Sequence, residues 1–149
     1  MTSRVAVDEF LAHPAIALAG ASRSGKKFGN LAMRELRARG YRVHPIHPMG
    51  GTIDGVECVT SFAHLREPVE ALLVVVPPIA ALDVLRDAAG AGVRYVWLQQ
   101  GAESDHALQL CRDLGLVMIA GESILMHAQP KGIHKLHRWI WGALRKLPA

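Results

Sequence analysis

The chain has 149 residues, half of them hydrophobic, which fits one globular domain over residues 1–149 with a sizeable core and excludes a peptide or two ordinary domains. Two cysteines are too few for a disulfide framework, and there is neither a signal peptide nor a run of about eighteen apolar residues, so we expect a soluble, cytoplasmic protein with reduced thiols. The net charge of +4 is local, because five basic residues follow Glu122 while the earlier basic and acidic residues nearly cancel, and this pattern disfavours nucleic acid as a partner.

Strand-like segments recur along the chain after a predicted N-terminal helix in residues 1–13. Several of these segments are continuous apolar runs, as expected for strands that are covered on both faces. The predicted strands are Ala15–Ala19, Tyr41–Ile46, Ala71–Val76, Arg94–Leu98 and Leu116–Ala120.

Helical patterns separate the predicted strands. Their apolar stripes are Phe28, Leu31, Ala32 and Leu36; then Leu82, Leu85, Arg86 and Ala89; then Ala107, Leu110, Cys111 and Leu114. Gly40, Gly92 and Gly115 follow these helices, where a left-handed C-cap is needed. The alternation predicts the α/β class, with a doubly wound, Rossmann-like, mostly parallel five-stranded sheet and helices on both faces. Such sheets bind ligands at the carboxyl ends of their strands, near the reversal of strand order.

A Gly/Ser/Lys turn follows the first predicted strand. Its sequence, Gly20-Ala21-Ser22-Arg23-Ser24-Gly25-Lys26-Lys27, leads into the helix that begins near Phe28. Glycines let a backbone approach a ligand, N–H groups at a helix start donate to phosphate oxygens, and the helix dipole adds partial positive charge. Arg23, Lys26 and Lys27 add full charges. We therefore predict a phosphate-binding loop, and the turn alone leaves open which phosphate-bearing molecule it binds.

Two widespread nucleotide-binding patterns fit this turn only in part. Gly20-x4-Gly25-Lys26-Lys27 nearly matches the loop of nucleotide hydrolases, but Lys27 stands where a hydroxyl would hold Mg²⁺, which disfavours ATP or GTP hydrolysis. The dinucleotide fingerprint has Ser22 in place of its second glycine. The second strand ends in His44-Pro45-Ile46-His47-Pro48 rather than in the acidic residue that binds the ribose of NAD. A ligand with an extra phosphate, NADP or coenzyme A, fits better.

Five motifs occur in a fixed order between residue 15 and about residue 120. They are Ala19-Gly20-Ala21-Ser22-Arg23, Lys27-Phe28-Gly29-Asn30, Gly40-Tyr41 with Pro48 after the second strand, Val76-Pro77-Pro78, and Val96-Trp97-Leu98-Gln99-Gln100-Gly101. In this order they resemble the small coenzyme A-binding proteins of Rossmann type, which are similar to the N-terminal domain of the succinyl-CoA synthetase α subunit.

The resemblance implies coenzyme A or an acyl-coenzyme A as the cofactor. It implies that the turn takes the phosphates, with cofactor-binding residues Gly20, Ala21, Ser22, Arg23, Lys26, Lys27 and Phe28. It further implies that the loop around His47 and Pro48 flanks the adenosine, and that the pantetheine path is lined by Val76, Pro77, Pro78, Gln99 and Gln100. This chain has His47-Pro48 where Asn-Pro is common in the family, and Glu122-Ser123 where an Arg-Cys pair is common.

Each of these groups also has a structural interpretation that the sequence leaves open. The serines of the turn can cap the helix or close the turn, and its lysines can be solvated surface charges. Pro77-Pro78 can end a strand and start a helix. The amides of Gln99 and Gln100 can pair with the backbone as well as with a ligand.

The sequence contains no recognisable catalytic or metal-binding set. His134 and His137 have helical spacing, but no carboxylate or cysteine completes a metal site. Neither cysteine starts a Gly-rich helix, and no serine lies in a nucleophile elbow. We therefore expect a binding protein without chemistry of its own. The alternative is an NADP-dependent reductase or redox sensor, which would need a substrate pocket and a proton donor.

Residues 131–149 form a basic amphipathic pattern. Apolar residues recur at helical spacing among basic ones, at Ile133, Leu136, Ile140, Leu144 and Leu147. We expect a helix that packs on the domain, on a second copy in a homodimer, or on a partner protein, with a membrane surface or polyanion as the alternative.

Overall fold

A computed structural model describes residues 3–128. The helices are α1 (Arg4–Leu11), α2 (Phe28–Ala38), α3 (Pro78–Gly90) and α4 (Asp105–Asp113). The strands are β1 (Ala15–Ala19), β2 (Arg42–Ile46), β3 (Thr52–Ile53), β4 (Val56–Glu57), β5 (Ala71–Val74), β6 (Tyr95–Leu98) and β7 (Val117–Ala120). The helix predicted in residues 131–149 lies outside the described residues. Among the helices of residues 3–128, none has the length and apolar character that crossing a membrane requires.

Five of the strands form a parallel sheet in the order β2-β1-β5-β6-β7. The strand order reverses beside β1, since the chain continues to β2 on one side and later to β5 on the other. Ala19 at the end of β1 lies opposite Ile46 of β2 and Val74 of β5. The three carboxyl ends therefore share one edge of the sheet. The predicted doubly wound α/β class is confirmed, and this edge is where such sheets bind ligands.

Each face of the sheet carries its own apolar core. On one face α1 and α2 pack over the sheet, and the fully buried rings of Phe10 and Trp97 meet edge to face with centroids 5.3 Å apart. On the other face Leu85 of α3 and Cys111 of α4 are fully buried. The predicted N-terminal helix is thus present as α1 and packs on the sheet.

The predicted strand boundaries agree with the structure to within two residues, and the helix predicted in residues 1–13 spans Arg4–Leu11. Among the strands the largest difference is at Ala71–Val76, because β5 ends at Val74 and α3 begins at Pro78, with Pro77 as its N-cap. The predicted left-handed glycines are confirmed at Gly40, Gly92 and Gly115, with φ values of 96°, 94° and 74°.

The buried faces of all three of these helices differ in part from the predicted apolar stripes. In α4 the buried residues are Ala107 and Cys111, and Leu114 is 37% exposed because the helix ends before it, at Asp113. In α2 the Leu31 residue is 41% exposed, and the polar Asn30 is fully buried instead. The reason is that Asn30 hydrogen-bonds the turn before α2, which turns Leu31 outward. In α3 the buried residues are Ala81, Leu85 and Ala88, and Arg86 faces solvent.

A small antiparallel hairpin of β3 and β4 follows β2 and was not predicted. Its two-residue turn is Asp54-Gly55, with φ values of 51° and 77°. Positive φ at both central residues is the geometry that matches the twist of short hairpins, and Asp-Gly is a preferred sequence for it. The strands have two residues each, too few for a period of two to be recognised.

The edge of the sheet at β2 is held by an ionic cluster around Glu67. Arg42 donates to both carboxylate oxygens of Glu67, at 2.9 and 2.8 Å, and His44 Nε2 lies 2.6 Å from Oε2. The hydrogen bond from Arg42, followed by that from His44, lowers the pKa of Glu67 from 4.5 to about 2.

We expect this cluster to make the free energy of unfolding depend on pH in the acidic range. A carboxyl group whose folded-state pKa is lowered stabilises the fold above its unfolded-state value of 4.5, and that contribution is lost as the pH falls towards 2. Urea unfolding midpoints should therefore fall less steeply in Glu67→Gln than in the wild type over this range. Glu9→Gln, at an exposed position of α1, is the control and should keep the wild-type slope. Parallel slopes for Glu67→Gln and the wild type would contradict the expectation.

Candidate functional site

The Gly20 turn (residues 20–27) leaves the end of β1 in close contact with the chain that follows β5. Gly20 has a φ of 128°, and a Cβ there would lie 2.7 Å from the carbonyl carbon and oxygen of Val75. Real Cβ atoms do not approach backbone this closely, and L side chains rarely adopt this φ. Glycine at position 20 therefore allows the chains after β1 and β5 to touch at the reversal of strand order.

A second glycine lets the start of α2 reach the same point. A Cβ at Gly29 would lie 2.4 Å from the Gly20 carbonyl oxygen and 3.0 Å from the Ala21 nitrogen. A helix has no internal acceptor for its first N–H groups, so those of Phe28 and Gly29 point out of the start of α2. The contact places this positive end of the helix dipole against the end of β1.

The buried side chain of Asn30 holds the turn in shape. Asn30 Oδ1 accepts from the Ser22 N–H at 2.9 Å, and Asn30 Nδ2 donates to the Ser22 carbonyl at 2.8 Å. A fully buried amide with this pairing has its polar groups satisfied. In the sequence Asn30 belongs to the motif Lys27-Phe28-Gly29-Asn30, with no role predicted for its side chain.

The serines of the turn also take part in its internal hydrogen bonding. Ser22 Oγ lies 3.1 Å from Ser24 Oγ and accepts from the Ser24 N–H, and Ser24 Oγ accepts from the Lys26 N–H, both at 3.2 Å. Gly25 N–H donates to the Ser22 carbonyl at 3.1 Å. The hydroxyls therefore close the turn, one of the structural roles that the sequence left open.

Three basic residues lie in the turn, and a fourth, Arg34, lies close to it on α2. Lys26 and Lys27 are exposed, and Lys27 is the extended residue that precedes α2. Arg23 Nη2 donates to the carbonyls of Met49 and Gly50, at 3.3 and 2.9 Å, in the loop after β2. Arg34 pairs with Asp54 at 2.9 Å.

A cleft of about 1020 Å³ opens beside the turn at the carboxyl edge of the sheet. One wall comes from the ends of β1 and β2 and includes Gly20, Ala21, His47 and Pro48. The opposite wall is α3. It includes Asp83, Arg86 and Asp87, and other lining residues are Thr60, Ser61, Phe62 and Val76. The structure thus brings together five of the residues predicted to bind the cofactor, with Val76 as the fifth.

The other predicted residues lie along the same edge. Pro77 is the extended N-cap of α3 and Pro78 its first residue, so both have the helix-starting role. Gln99 is buried after β6, and its Oε1 accepts from the Ile124 N–H at 3.1 Å. Gln100 is exposed. Gln99 therefore holds the segment that follows β7.

The two thiols are poor nucleophiles. Burial raises the pKa of Cys111 to about 11, and it also raises the pKa of Cys58, against the lowering effect of the nearby Arg23 charge. Both residues are buried, as predicted. Across residues 3–128, no group of three His, Cys, Asp or Glu side chains could hold a metal ion.

Five residues at the site have only weak signals in the sequence. Asp54 and Arg34 join β3–β4 to α2, and the Asp54-Gly55 pair was the available signal for that hairpin. Asp83, Arg86 and Asp87 reach the cleft from α3, where their spacing indicates only a solvated helix face.

The fold and the order of the strands define a Rossmann-like α/β domain. A family model for the CoA binding domain matches residues 14–129, which include the whole sheet and the cleft. The chain therefore belongs to the CoA binding domain family, and the resemblance stated from its motifs is confirmed.

Similar proteins include small proteins and parts of large enzymes. The chain is 28% identical over 87 residues to the ADP-forming acetate–CoA ligase of Methanocaldococcus jannaschii, a match that covers 58% of this chain and 12% of that enzyme. A conserved hypothetical protein from Pyrococcus furiosus has 33% identity and a TM-score of 0.72, covering 76% of this chain and 98% of that one. A dinucleotide forming acetyl-coenzyme A synthetase from Ca. Korarchaeum cryptofilum, in complex with phosphate and ADP, has 25% identity and a TM-score of 0.62, covering 71% of this chain and 25% of that one.

We expect Gly29→Ala to destabilise the protein because its methyl group would meet the Gly20 carbonyl, which is backbone and cannot rotate away. The expected loss is about 1 to 3 kcal/mol of unfolding free energy, the scale of overpacking. Gly90→Ala is the matched control, since an added Cβ at that helical position has no heavy atom within 4 Å among the described residues. Urea unfolding measures both, and equal stability of the two variants would show that the close contact is unimportant.

Proposed function

We propose that this protein binds coenzyme A, free or acylated, through the Gly20 turn and has no chemistry of its own. The family gives the ligand class. The single observation that carries the proposal is the contact of Gly29 with Gly20, because it brings the N–H groups at the start of α2 to the end of β1. A helix start in this position is suited to the diphosphate of the cofactor.

The charges around the turn support the choice of an anion. Lys26 and Lys27 are exposed and carry mobile ammonium groups beside the start of α2. Charge-assisted hydrogen bonds to phosphate are about twice as strong as neutral ones. In the proposed complex both lysines contact phosphate oxygens. Ser22 and Ser24 accept from N–H groups inside the turn and so fix its shape, which leaves the N–H groups at the start of α2 for the phosphates.

The cleft supports the direction in which the cofactor would lie. Its volume of about 1020 Å³ is enough for an adenosine group, and it extends from Gly20 to His47 and Pro48 on one side and to α3 on the other. We therefore assign the adenosine to the cleft. The pantetheine would then run towards Val76, Pro77 and Pro78 and on to Gln100, whose exposed amide is the better placed of the two glutamines.

We propose that the protein has no chemistry of its own because its buried thiols are poor nucleophiles. Burial keeps Cys111 protonated near neutral pH, with its pKa at about 11. A thiol without an activating charge or base is a weak nucleophile. The activity of the acetate–CoA ligase would then reside in parts of that enzyme that this chain does not match.

We expect titration calorimetry to detect coenzyme A or an acyl-coenzyme A at millimolar ligand, with a rise in melting temperature, because binding to the folded state stabilises it. NADPH is the comparison ligand. It shares the extra phosphate and the diphosphate but has no pantetheine. Heat and stabilisation from NADPH alone would refute the proposal and favour the reductase.

We expect Lys26→Ala combined with Lys27→Ala to weaken coenzyme A binding by roughly 1 to 3 kcal/mol, the scale of charge-assisted hydrogen bonds. Arg94→Ala with Arg112→Ala is the matched control, because it removes the same charge from exposed positions before β6 and at the end of α4. Calorimetry of both double variants separates a local contact from a general effect of net charge. Equal affinities in the two double variants would remove the lysines from the site.

A further inference from the structure

Two separate side-chain contacts tie the Gly20 turn to the segment of residues 47–57, which contains the loop after β2 and the β3–β4 hairpin. Arg23 reaches from the turn to the loop. Asp54 reaches from the tip of the hairpin to the turn and α2. Neither contact joins sequence neighbours, since the paired residues are 20 or more positions apart.

The Arg23 guanidinium lies on the backbone of the loop. Its Nη2 donates to the carbonyls of Met49 and Gly50 at 3.3 and 2.9 Å. A Cβ at Gly51 would lie 3.1 Å from the same nitrogen, so this glycine leaves room for the guanidinium. The charge of Arg23 is thus directed to peptide carbonyls that belong to the other half of the site.

Asp54 makes the second tie from a strained position. It has a φ of 51° in the hairpin turn, and its Oδ2 accepts from Arg34 Nη1 at 2.9 Å and from Asn30 Nδ2 at 3.3 Å. Asn30 in turn holds the backbone of Ser22. Arg34 Nη1 also donates to the Gly25 carbonyl at 3.3 Å. The carboxylate therefore reaches both ends of the turn through one intermediate side chain each.

The tied segment carries one wall of the cleft. His47 and Pro48 line the cleft, and the start of the same stretch is fixed to the chain after β4 by the His47 N–H, which donates to the Val59 carbonyl at 2.9 Å. A ligand that spans the turn and the cleft needs both parts in a fixed relation. Holding them so before the ligand arrives lowers the ordering cost of binding.

We propose that Arg23 and Asp54 are positioning residues that lock the adenosine side of the site to the phosphate turn. This inference rests on the proposed function for its ligand, coenzyme A. Arg23 acts through the loop of residues 49–51, and Asp54 acts through Asn30 and Arg34. Both are needed for binding of a ligand that occupies the turn and the cleft together.

Hydrogen exchange of the ligand-free protein tests the lock directly. In Arg23→Ala and Asp54→Gly, the Gly50 and Cys58 amides should exchange about tenfold faster or more, because local opening becomes easier. These amides donate to His47 and Gly51 inside the tied segment. The Val75 and Gln99 amides, which bond to β1 and β5, should keep wild-type rates. Arg37→Ala, an exposed arginine in the last turn of α2, is the control.

Conservative variants separate positioning from direct contact with the ligand. Arg23→Lys keeps the charge but cannot reproduce a guanidinium that rests on two carbonyls, so it should lose coenzyme A affinity about tenfold, as Arg23→Ala does. Asp54→Asn keeps an acceptor oxygen and tolerates a positive φ, so it should recover most of the affinity that Asp54→Gly loses. Glycine at this position removes the side chain without backbone strain.

The outcomes distinguish this inference from the proposed function. Unchanged exchange at Gly50 and Cys58 in both Arg23→Ala and Asp54→Gly would overturn the lock, whatever the protein binds. Wild-type affinity in Arg23→Lys with weak binding in Arg23→Ala would also overturn it, because that pattern indicates a direct charge contact with phosphate. Failure of the wild type to bind any coenzyme A would refute the proposed function, and the exchange measurement would still decide the lock.

Discussion

The approach of Gly29 to Gly20 determines where the other groups of the site lie. A Cβ at Gly29 would come within 2.4 Å of the Gly20 carbonyl, so only glycine lets the first turn of α2 rest on the end of β1. Gly20 itself rests on Val75 after β5. These two contacts bring the chains after two neighbouring strands and the positive end of a helix dipole to one point. The cleft opens beside this point because β2 and α3 continue on its two sides.

Polar side chains around these contacts mostly serve the backbone. The amide of Asn30 fixes Ser22, the serine hydroxyls close the turn, and Gln99 accepts from the Ile124 N–H. The pairings of Ser22 and Ile124 satisfy backbone N–H groups that lie in partly or fully buried surroundings. The consequence is a turn whose shape is fixed by its own hydrogen bonds in the absence of a ligand.

Much of the fold could be predicted because each signal was local. Apolar runs, several of them continuous, indicated the five sheet strands. Gly40, Gly92 and Gly115 indicated helix ends, and their φ values are left-handed in the structure. The β3–β4 hairpin was not predicted because strands of two residues have no recognisable periodicity. The prediction that Leu31 lies in the core was wrong, because helical spacing does not indicate that the neighbouring Asn30 is buried. For Arg23 the sequence supplies the charge but not its direction, which depends on a loop 26 residues away.

The same limit explains why the acidic residues of the cleft were not anticipated. An NAD site has a carboxylate at the end of the second strand. This chain has His47 after β2, and its Nδ1 accepts from the Met49 N–H at 3.1 Å and so stabilises its own loop. Asp83 and Asp87 enter the cleft from α3, on the opposite wall. The two walls of a cleft come from segments that are far apart in sequence. A motif at the end of one strand therefore identifies the side chains of only one wall. In this protein Arg23 positions the wall at β2 through the carbonyls of Met49 and Gly50. The wall with Asp83 and Asp87 belongs to α3, which starts at Pro78, close to the contact of Val75 with Gly20.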